Sequence, residues 1–213
     1  MRNLLIVCLL ALLTACGSGG ERPPDPTQAE VWAQVDATAL DLMERAGPAH
    51  VLLVGDSLTF HSPLTHLCGV PVIRAGYPAG TWQDVAARPI WSHMRSWVVV
   101  VQLGTNNVAH QVPVSSEAMM EFMNRVQGRH VLVETIPPMF MPELWTPDRD
   151  LRVAAMQADV LALGYPFIDS RVPMNNPALY SDGEHWNGSG YAVQHALLES
   201  NVCSLIEQER ASS

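Results

Sequence analysis

Three short motifs, far apart in the chain, contain side chains that together can perform acyl transfer. Gly55-Asp56-Ser57-Leu58 provides a hydroxyl, Gly104-Thr105-Asn106-Asn107 provides amides, and Asp182-Gly183-Glu184-His185 provides an imidazole beside a carboxylate. A serine becomes a strong nucleophile when a base takes its proton, and histidine suits that role at neutral pH. The aspartate three residues earlier can orient the ring, and an asparagine amide can donate a hydrogen bond to the developing oxyanion. The motifs therefore predict a serine esterase.

An alternation of apolar runs and helical stretches must position these groups. Continuous runs of Val, Leu and Ile indicate strands that are buried on both faces, as in a parallel sheet. We expect strands at 51–54, 72–73, 97–103, 130–136 and 166–168. Helical spacing predicts helices at 31–46, 58–67, 83–94, 116–126, 148–163 and from 188 to about 209.

Strands that alternate with helices predict a three-layer α/β/α sandwich with a mostly parallel, five-stranded sheet. In such sheets ligands bind beyond the carboxyl ends of the strands. The first two motifs directly follow the strands predicted at 51–54 and 97–103. We therefore expect the motifs to converge at one edge, although Gly55-Asp56-Ser57 alone also fits a simple strand-to-helix turn with a capping residue.

The motifs resemble those of the SGNH (GDSL-type) esterase and lipase superfamily, in the family's order and over essentially the whole predicted domain. The resemblance implies the flavodoxin-like SGNH hydrolase fold and a catalytic triad of Ser57, His185 and Asp182. It also implies an oxyanion hole formed by the backbone N–H of Ser57, the backbone N–H of a glycine and the side chain of Asn106. No cofactor is implied.

The second sequence block of the family is matched least well. The segment 74–81 lacks the usual asparagine and has an extra residue between its glycines. We assign the oxyanion N–H to Gly80, because Thr81 follows it as in many relatives, with Gly76 as the alternative. Asn107 stands where an aspartate is common in the family.

Two further histidines are candidates for substrate binding. His61 lies four residues after Ser57 and would share its helical face, and His110 follows the Asn106 motif on a loop at the same edge. The sequence has no histidine or cysteine pair with metal-ligand spacing, so we expect no metal. The Pro-rich apolar segment 136–145 is either a rim of the substrate pocket or a loop that packs into the core.

The N-terminus predicts export. Residues 1–15 have the charged start and apolar run of a signal peptide, and Leu13-Thr14-Ala15-Cys16 resembles the lipobox of bacterial lipoproteins. We expect Cys16 to be lipidated, residues 16–29 to form the lipidated cysteine and its flexible tether, and 30–213 to form the hydrolase domain in the cell envelope. A plain secretory signal is the alternative.

Export also bears on the remaining cysteines. Cys68 and Cys203 would lie in an oxidising compartment, where two cysteines either form one disulfide or stay as buried thiols.

The net charge and the types of basic residue argue against several functions. The net charge is −9 and all twelve basic residues are arginine. An acidic chain without a basic cluster argues against nucleic acid as a partner. The absence of lysine excludes Schiff-base, pyridoxal-phosphate and Ser-Lys chemistry and the P-loop lysine.

The expected function is hydrolysis of short-chain or acetyl esters of cell-envelope glycans or lipids, through an acyl-enzyme on Ser57. The alternatives are an O-acyltransferase that uses a sugar hydroxyl, and a non-catalytic envelope lipoprotein that binds glycan or a partner. A monomer is favoured.

Overall fold

A mostly parallel sheet forms the centre of the molecule. The computed structural model describes residues 26–93, 95–140 and 148–212. Six strands follow the order β2-β3-β1-β4-β5-β6, and only the short β2 runs antiparallel to its neighbour. They are β1 Val51–Gly55, β2 His66–Leu67, β3 Val70–Gly76, β4 Ser96–Gln102, β5 Gly128–Glu134 and β6 Phe167–Ile168. The α/β prediction is confirmed; β2 adds a sixth strand to the five expected.

The register of the central strands brings their carboxyl ends level. Gly55 at the end of β1 pairs with Gly76 of β3 on one side and with Gln102 of β4 on the other. Every residue of β1 and β4 is buried, as their continuous apolar sequences predict. The segments that leave these three strands therefore begin side by side at one edge.

Seven α-helices and two 3-10 helices surround the sheet in the described part of the chain. The α-helices are α1 Gln28–Ala46, α2 Ser57–Phe60, α3 Trp82–Ala86, α4 Thr105–Ala109, α5 Ser116–Arg125, α6 Arg149–Ala162 and α7 Gly188–Ser212. The 3-10 helices are Pro89–His93 and Pro177–Leu179. The four long predicted helices are confirmed as α1, α5, α6 and α7.

Two predicted helices are longer than the helices in the structure. The helix expected at 58–67 is only α2, which ends at Phe60 before Pro63 and the strand β2. The helix expected at 83–94 is α3 followed by a 3-10 turn that begins at Pro89. Proline removes a backbone donor and disfavours helical geometry in the preceding residue, so both helices stop before one.

The N-terminal boundary also differs from the prediction. Thr27 caps α1 and forms a reciprocal capping box with Glu30, so residues 28 and 29 belong to the folded domain and not to the tether. The predicted signal peptide, Cys16 and residues 16–25 lie outside the described residues. Within the described part of the chain, no helix has the length and apolar character that crossing a membrane requires.

Cys68 and Cys203 form a disulfide, which decides between the two alternatives that the sequence left open. The bond joins the turn between β2 and β3 to α7, with 5.6 Å between the Cα atoms. Arg210 of α7 also donates a hydrogen bond to the Cys68 carbonyl at 2.6 Å. The C-terminal helix is thus fixed against the edge of the sheet, in the layer opposite α1.

Candidate active site

Ser57 is the first residue of α2 and lies at the edge where β1 ends. Asp56 caps this short helix by accepting a hydrogen bond from the Leu58 N–H at 3.0 Å. Gly55 permits the tight turn, because a Cβ there would lie 2.1 Å from the Thr59 hydroxyl oxygen and 2.7 Å from the Gln102 carbonyl. Glycine at this position therefore lets the helix start directly against the sheet.

Ser57, His185 and Asp182 form one hydrogen-bonded chain. His185 Nε2 lies 3.0 Å from Ser57 Oγ, and its Nδ1 lies 2.7 Å from Asp182 Oδ2. With Nδ1–H donating to the carboxylate, Nε2 is free to accept the serine proton. Burial opposes ionisation of Asp182, but hydrogen bonds from the backbone and ring of His185 outweigh it and lower the pKa of Asp182. The aspartate is therefore charged at neutral pH.

A compact loop and the start of α7 hold the histidine in place. Ser181 N–H and its hydroxyl both donate to the His185 carbonyl, at 2.8 and 3.0 Å. Asn187 then caps α7 through its side-chain oxygen. The Tyr191 hydroxyl donates to the Leu58 carbonyl at 3.1 Å, which ties α7 to the helix that carries Ser57. Ser57 and His185 are thus connected through α2 and α7 as well as by their own hydrogen bond.

Asn106 joins this group from the loop after β4. It is buried at the start of α4, and its Nδ2 donates to the Gly80 carbonyl at 3.2 Å. Gly80 therefore lies beside Asn106 as expected, but its own N–H donates to the Tyr77 carbonyl at 2.8 Å. The N–H that we assigned to the oxyanion is thus engaged within a turn in this structure.

The alternative glycine, Gly76, has a packing role. A Cβ on Gly76 would lie 2.2 Å from the Phe60 backbone nitrogen. This glycine at the end of β3 lets α2 approach the sheet.

Solved structures of other proteins share this arrangement of sheet and helices. No protein-family model and no curated protein matches the sequence. A lipase/acylhydrolase from Enterococcus faecalis is 19% identical, with a TM-score of 0.58 over 73% of this chain and 95% of that one. A carbohydrate acetylesterase family member from Sinorhizobium meliloti is 15% identical, with a TM-score of 0.55 over 74% and 99%. An acetylxylan esterase from Geobacillus stearothermophilus is 15% identical, with a TM-score of 0.52 over 76% and 94%.

The chain has the SGNH hydrolase fold. At these identities the likeness concerns the fold, and it confirms the fold that the motifs implied. In this SGNH fold the loops after β1, β3 and β4 and the loop before α7 meet at one edge, as the motif order predicted.

Asn107 connects two of these loops. Its Oδ1 accepts from the Trp82 N–H at 2.9 Å, and its Nδ2 donates to Gln83 Oε1 and to the Val112 carbonyl, each at 3.0 Å. The buried amide thus fixes the start of α3 against α4. Both its donor and its acceptor are used, which explains why an amide occupies the position where an aspartate is common in SGNH hydrolases.

Sequence reasoning missed a buried acid that interacts with Asp56. Glu134 ends β5, is fully buried, and accepts from Gln194 Nε2 at 3.3 Å. Burial, with a smaller contribution from Asp56, raises the pKa of Glu134 to about 8. Burial likewise raises the pKa of Asp56 to about 7. In the sequence, Glu134 is recognisable as a charged residue at the carboxyl end of an apolar strand.

The two candidate histidines differ in their position. His61 follows α2, is exposed, and packs edge-on against His185 with 5.9 Å between the ring centroids. Partial burial, and then the proximity of His185, lower the pKa of His61. His110 is the exposed C-cap residue of α4 and, within the described ranges, makes no hydrogen bond or ring contact with the triad. The structure thus places only His61 beside the catalytic groups.

The first part of the segment 136–145 packs into the protein. Ile136 and Met139 are buried in the core, and Phe140 packs on Tyr180 with 5.0 Å between ring centroids. The Phe140 N–H donates to the Gly183 carbonyl at 2.6 Å, so the segment supports the loop that carries Asp182. Residues 141–147, which include the rest of the predicted rim, lie outside the described residues.

Asn107→Asp should destabilise the protein. A carboxylate would lose both donated hydrogen bonds and bring a buried charge against the Val112 carbonyl, at a cost of about 2–3 kcal/mol. Chemical denaturation at pH 7 measures this loss. Asn124→Asp, the same exchange at an exposed position of α5, is the control. Equal stability of the two variants would show that the two hydrogen bonds donated by Asn107 do not contribute to the free energy of unfolding.

Glu134→Gln should stabilise the protein increasingly as the pH rises. The unfolded chain ionises this carboxyl near its ordinary pKa of 4.5, while the folded chain keeps it protonated until about pH 8. Between these values the unfolded state binds fewer protons, so wild-type stability falls as pH rises. Glutamine removes this dependence and retains the contact with Gln194. Melting temperatures at pH 5 and pH 8 measure the trend, with Glu207→Gln as the exposed control; a constant difference would contradict a neutral Glu134.

Proposed function

We propose that this protein is a serine ester hydrolase that works through an acyl-enzyme on Ser57. The observation that carries the proposal is the chain from Ser57 Oγ through His185 to Asp182, with contacts of 3.0 and 2.7 Å. Ser57 and His185 are 128 residues apart in the sequence, and Asp182 and His185 are three residues apart. The three side chains meet in the order that nucleophilic acyl transfer requires.

In the proposed mechanism His185 takes the proton as Ser57 attacks the ester carbonyl carbon. The imidazolium, held by Asp182, then gives this proton to the leaving alcohol, and the acyl group stays on Ser57 as an ester. Water, deprotonated by the same imidazole, attacks the acyl-enzyme, and the proton returns to the serine as the acid leaves.

Two groups can stabilise the oxyanion. The Ser57 N–H begins α2 and donates no hydrogen bond within the described residues. Asn106 Nδ2 carries two hydrogens, of which the Gly80 carbonyl takes one. The second hydrogen remains for the developing negative charge.

We propose short-chain or acetyl esters of cell-envelope glycans or lipids as substrates. The similar folds of a carbohydrate acetylesterase and an acetylxylan esterase support small acyl groups on sugars. Exposed Phe60 and His61, directly beyond Ser57, provide ring surfaces on which a sugar can pack.

We further propose that the protein is exported and anchored in the bacterial cell envelope through a lipid on Cys16. The apolar run before Thr14-Ala15-Cys16 supports this, as does the disulfide, which persists in oxidising compartments.

Ser57→Ala should abolish ester turnover, and Asn106→Ala should lower kcat by about 10²–10³ with the fold intact. The full-length protein is assayed on p-nitrophenyl acetate, butyrate and octanoate, with Ser204→Ala and Asn124→Ala as matched controls. We expect acetate to be the best substrate. If folded wild-type protein hydrolysed none of the three, hydrolysis would be rejected, and acyl transfer to added sugar acceptors would be measured in its place.

Cys16→Ser should release the protein from the membrane fraction, because the lipid requires the thiol. Detergent phase partitioning and the intact mass of the mature protein measure this change. Cys8→Ser, which alters only the predicted signal peptide, should leave the protein in the membrane fraction. Wild-type protein that is soluble and has no lipid mass would instead support the plain secretory signal.

A further inference from the structure

The turn between β3 and α3 has an unfavourable backbone conformation. The Gly80 N–H donates to the Tyr77 carbonyl at 2.8 Å, which closes a four-residue turn with Pro78 and Ala79 at its centre. Proline fixes its own φ near −65°, and Ala79 has a φ of +57°. This combination defines a type II turn, whose third position favours glycine because a Cβ is strained at positive φ. Some other contact must therefore hold Ala79 in this conformation.

Helix α1 makes that contact. Trp32 Nε1 and Gln28 Nε2 both donate to the Pro78 carbonyl, each at 3.1 Å. A type I turn would let Ala79 return to negative φ, but it requires the Pro78–Ala79 peptide to rotate by about half a turn. That rotation would break both hydrogen bonds. The two donors of α1 thus favour the strained form of the turn.

A buried polar cluster fixes α1 against the same turn. The Tyr77 hydroxyl donates to Asp36 Oδ1 at 2.7 Å, and Arg88 forms an ion pair with the same carboxylate. The Trp32 ring packs edge-on against Tyr77 at 6.1 Å, and the Arg88 guanidinium lies 5.8 Å from the Trp32 ring centroid. Trp32 is therefore held by its ring as well as by its N–H.

The same turn also contacts the group assigned to the oxyanion. The Gly80 carbonyl is the acceptor for Asn106 Nδ2, at 3.2 Å. Gly80 is the last residue of the turn, so the acceptor that orients the Asn106 amide belongs to the segment that the donors of α1 hold.

We propose that Trp32 and Gln28 are positioning residues that hold the Tyr77–Gly80 turn in its type II form and so orient Asn106 toward the oxyanion. The inference rests on the proposed ester hydrolysis. Neither side chain touches the substrate in this scheme, so both act on the chemical step and not on substrate affinity.

Removal of both donors tests the proposal. Trp32→Phe with Gln28→Leu keeps an aromatic ring and an apolar stem but removes both N–H groups. We expect kcat for p-nitrophenyl acetate to fall about tenfold with KM unchanged, since two net hydrogen bonds correspond to roughly that factor. The matched control is Trp97→Phe with Gln34→Leu, which makes the same exchanges at the start of β4 and at an exposed position of α1 whose side chain donates a hydrogen bond to Thr38. Equal losses of kcat in both variants would overturn the proposal.

A third substitution, at Ala79, distinguishes a change in the turn conformation from general damage to α1. Ala79→Gly removes the strain at positive φ, so the type II turn no longer needs the donors of α1. Added to the Trp32→Phe, Gln28→Leu variant, it should restore most of the lost kcat. A kcat that stays low after this addition would overturn the role of the turn.

A structural readout tests the effect of α1 on the turn without the need for ester turnover. The Cα and Cβ chemical shifts of Ala79 report the sign of its φ. They should change from left-handed to right-handed values in the Trp32→Phe, Gln28→Leu variant and stay unchanged in the control. Wild-type protein without ester turnover would refute the hydrolase, whereas unchanged Ala79 shifts in the variant would refute the role of α1.

Discussion

The register of three parallel strands is the constraint on which the site depends. Gly76, Gly55 and Gln102 lie level across β3, β1 and β4, so the loops after β3 and β4 each start one inter-strand spacing, about 4.8 Å, from the loop after β1. A shift of one residue in either pair would turn the buried valines and leucines toward the wrong layer. The packing of these side chains into two different core layers is what fixes the loops relative to one another. Two glycines at this level then allow α2 to lie against the sheet edge.

The acidic side chains at the site have different pKa values because their environments differ. Asp182 is half exposed and receives hydrogen bonds from the backbone and ring of His185, so it ionises readily. Asp56 and Glu134 are buried, and their pKa values rise to about 7 and 8. Of these three acids, Asp182 is therefore the one that carries a full charge at neutral pH, and it lies against His185. Glu134, with its raised pKa, is a neutral acid at pH 7 and accepts a hydrogen bond from Gln194 of α7.

The sequence predicted which side chains meet at the site better than it predicted the contacts that support them. Ser57, His185 and Asp182 meet as the motifs suggested, because a reaction constrains residue types and their spacing directly. Glu134 and the contacts of Asn107 were missed, since each depends on a partner brought near only by the fold. Pro63 indicates that α2 ends early, whereas the helical spacing of residues 58–67 predicts a longer helix, which is wrong. The cysteines allowed two outcomes until their 5.6 Å Cα separation was known.

Helix α1 has more than a packing role, because its side chains donate hydrogen bonds to the turn between β3 and α3. It lies outside the alternation of strands and helices, and its apolar spacing alone predicts a helix that covers the sheet. Its polar side chains reveal a second role, because Gln28, Trp32 and Asp36 lie at spacings of four and all reach the turn that contacts Asn106. This helix directly follows the predicted tether, so the element that connects the domain to its proposed anchor also supports the oxyanion loop. The sheet positions Ser57 and the loop that carries Asn106, and the loop before α7 positions His185. In the proposed scheme, the orientation of the Asn106 amide depends in addition on a helix that precedes the first strand.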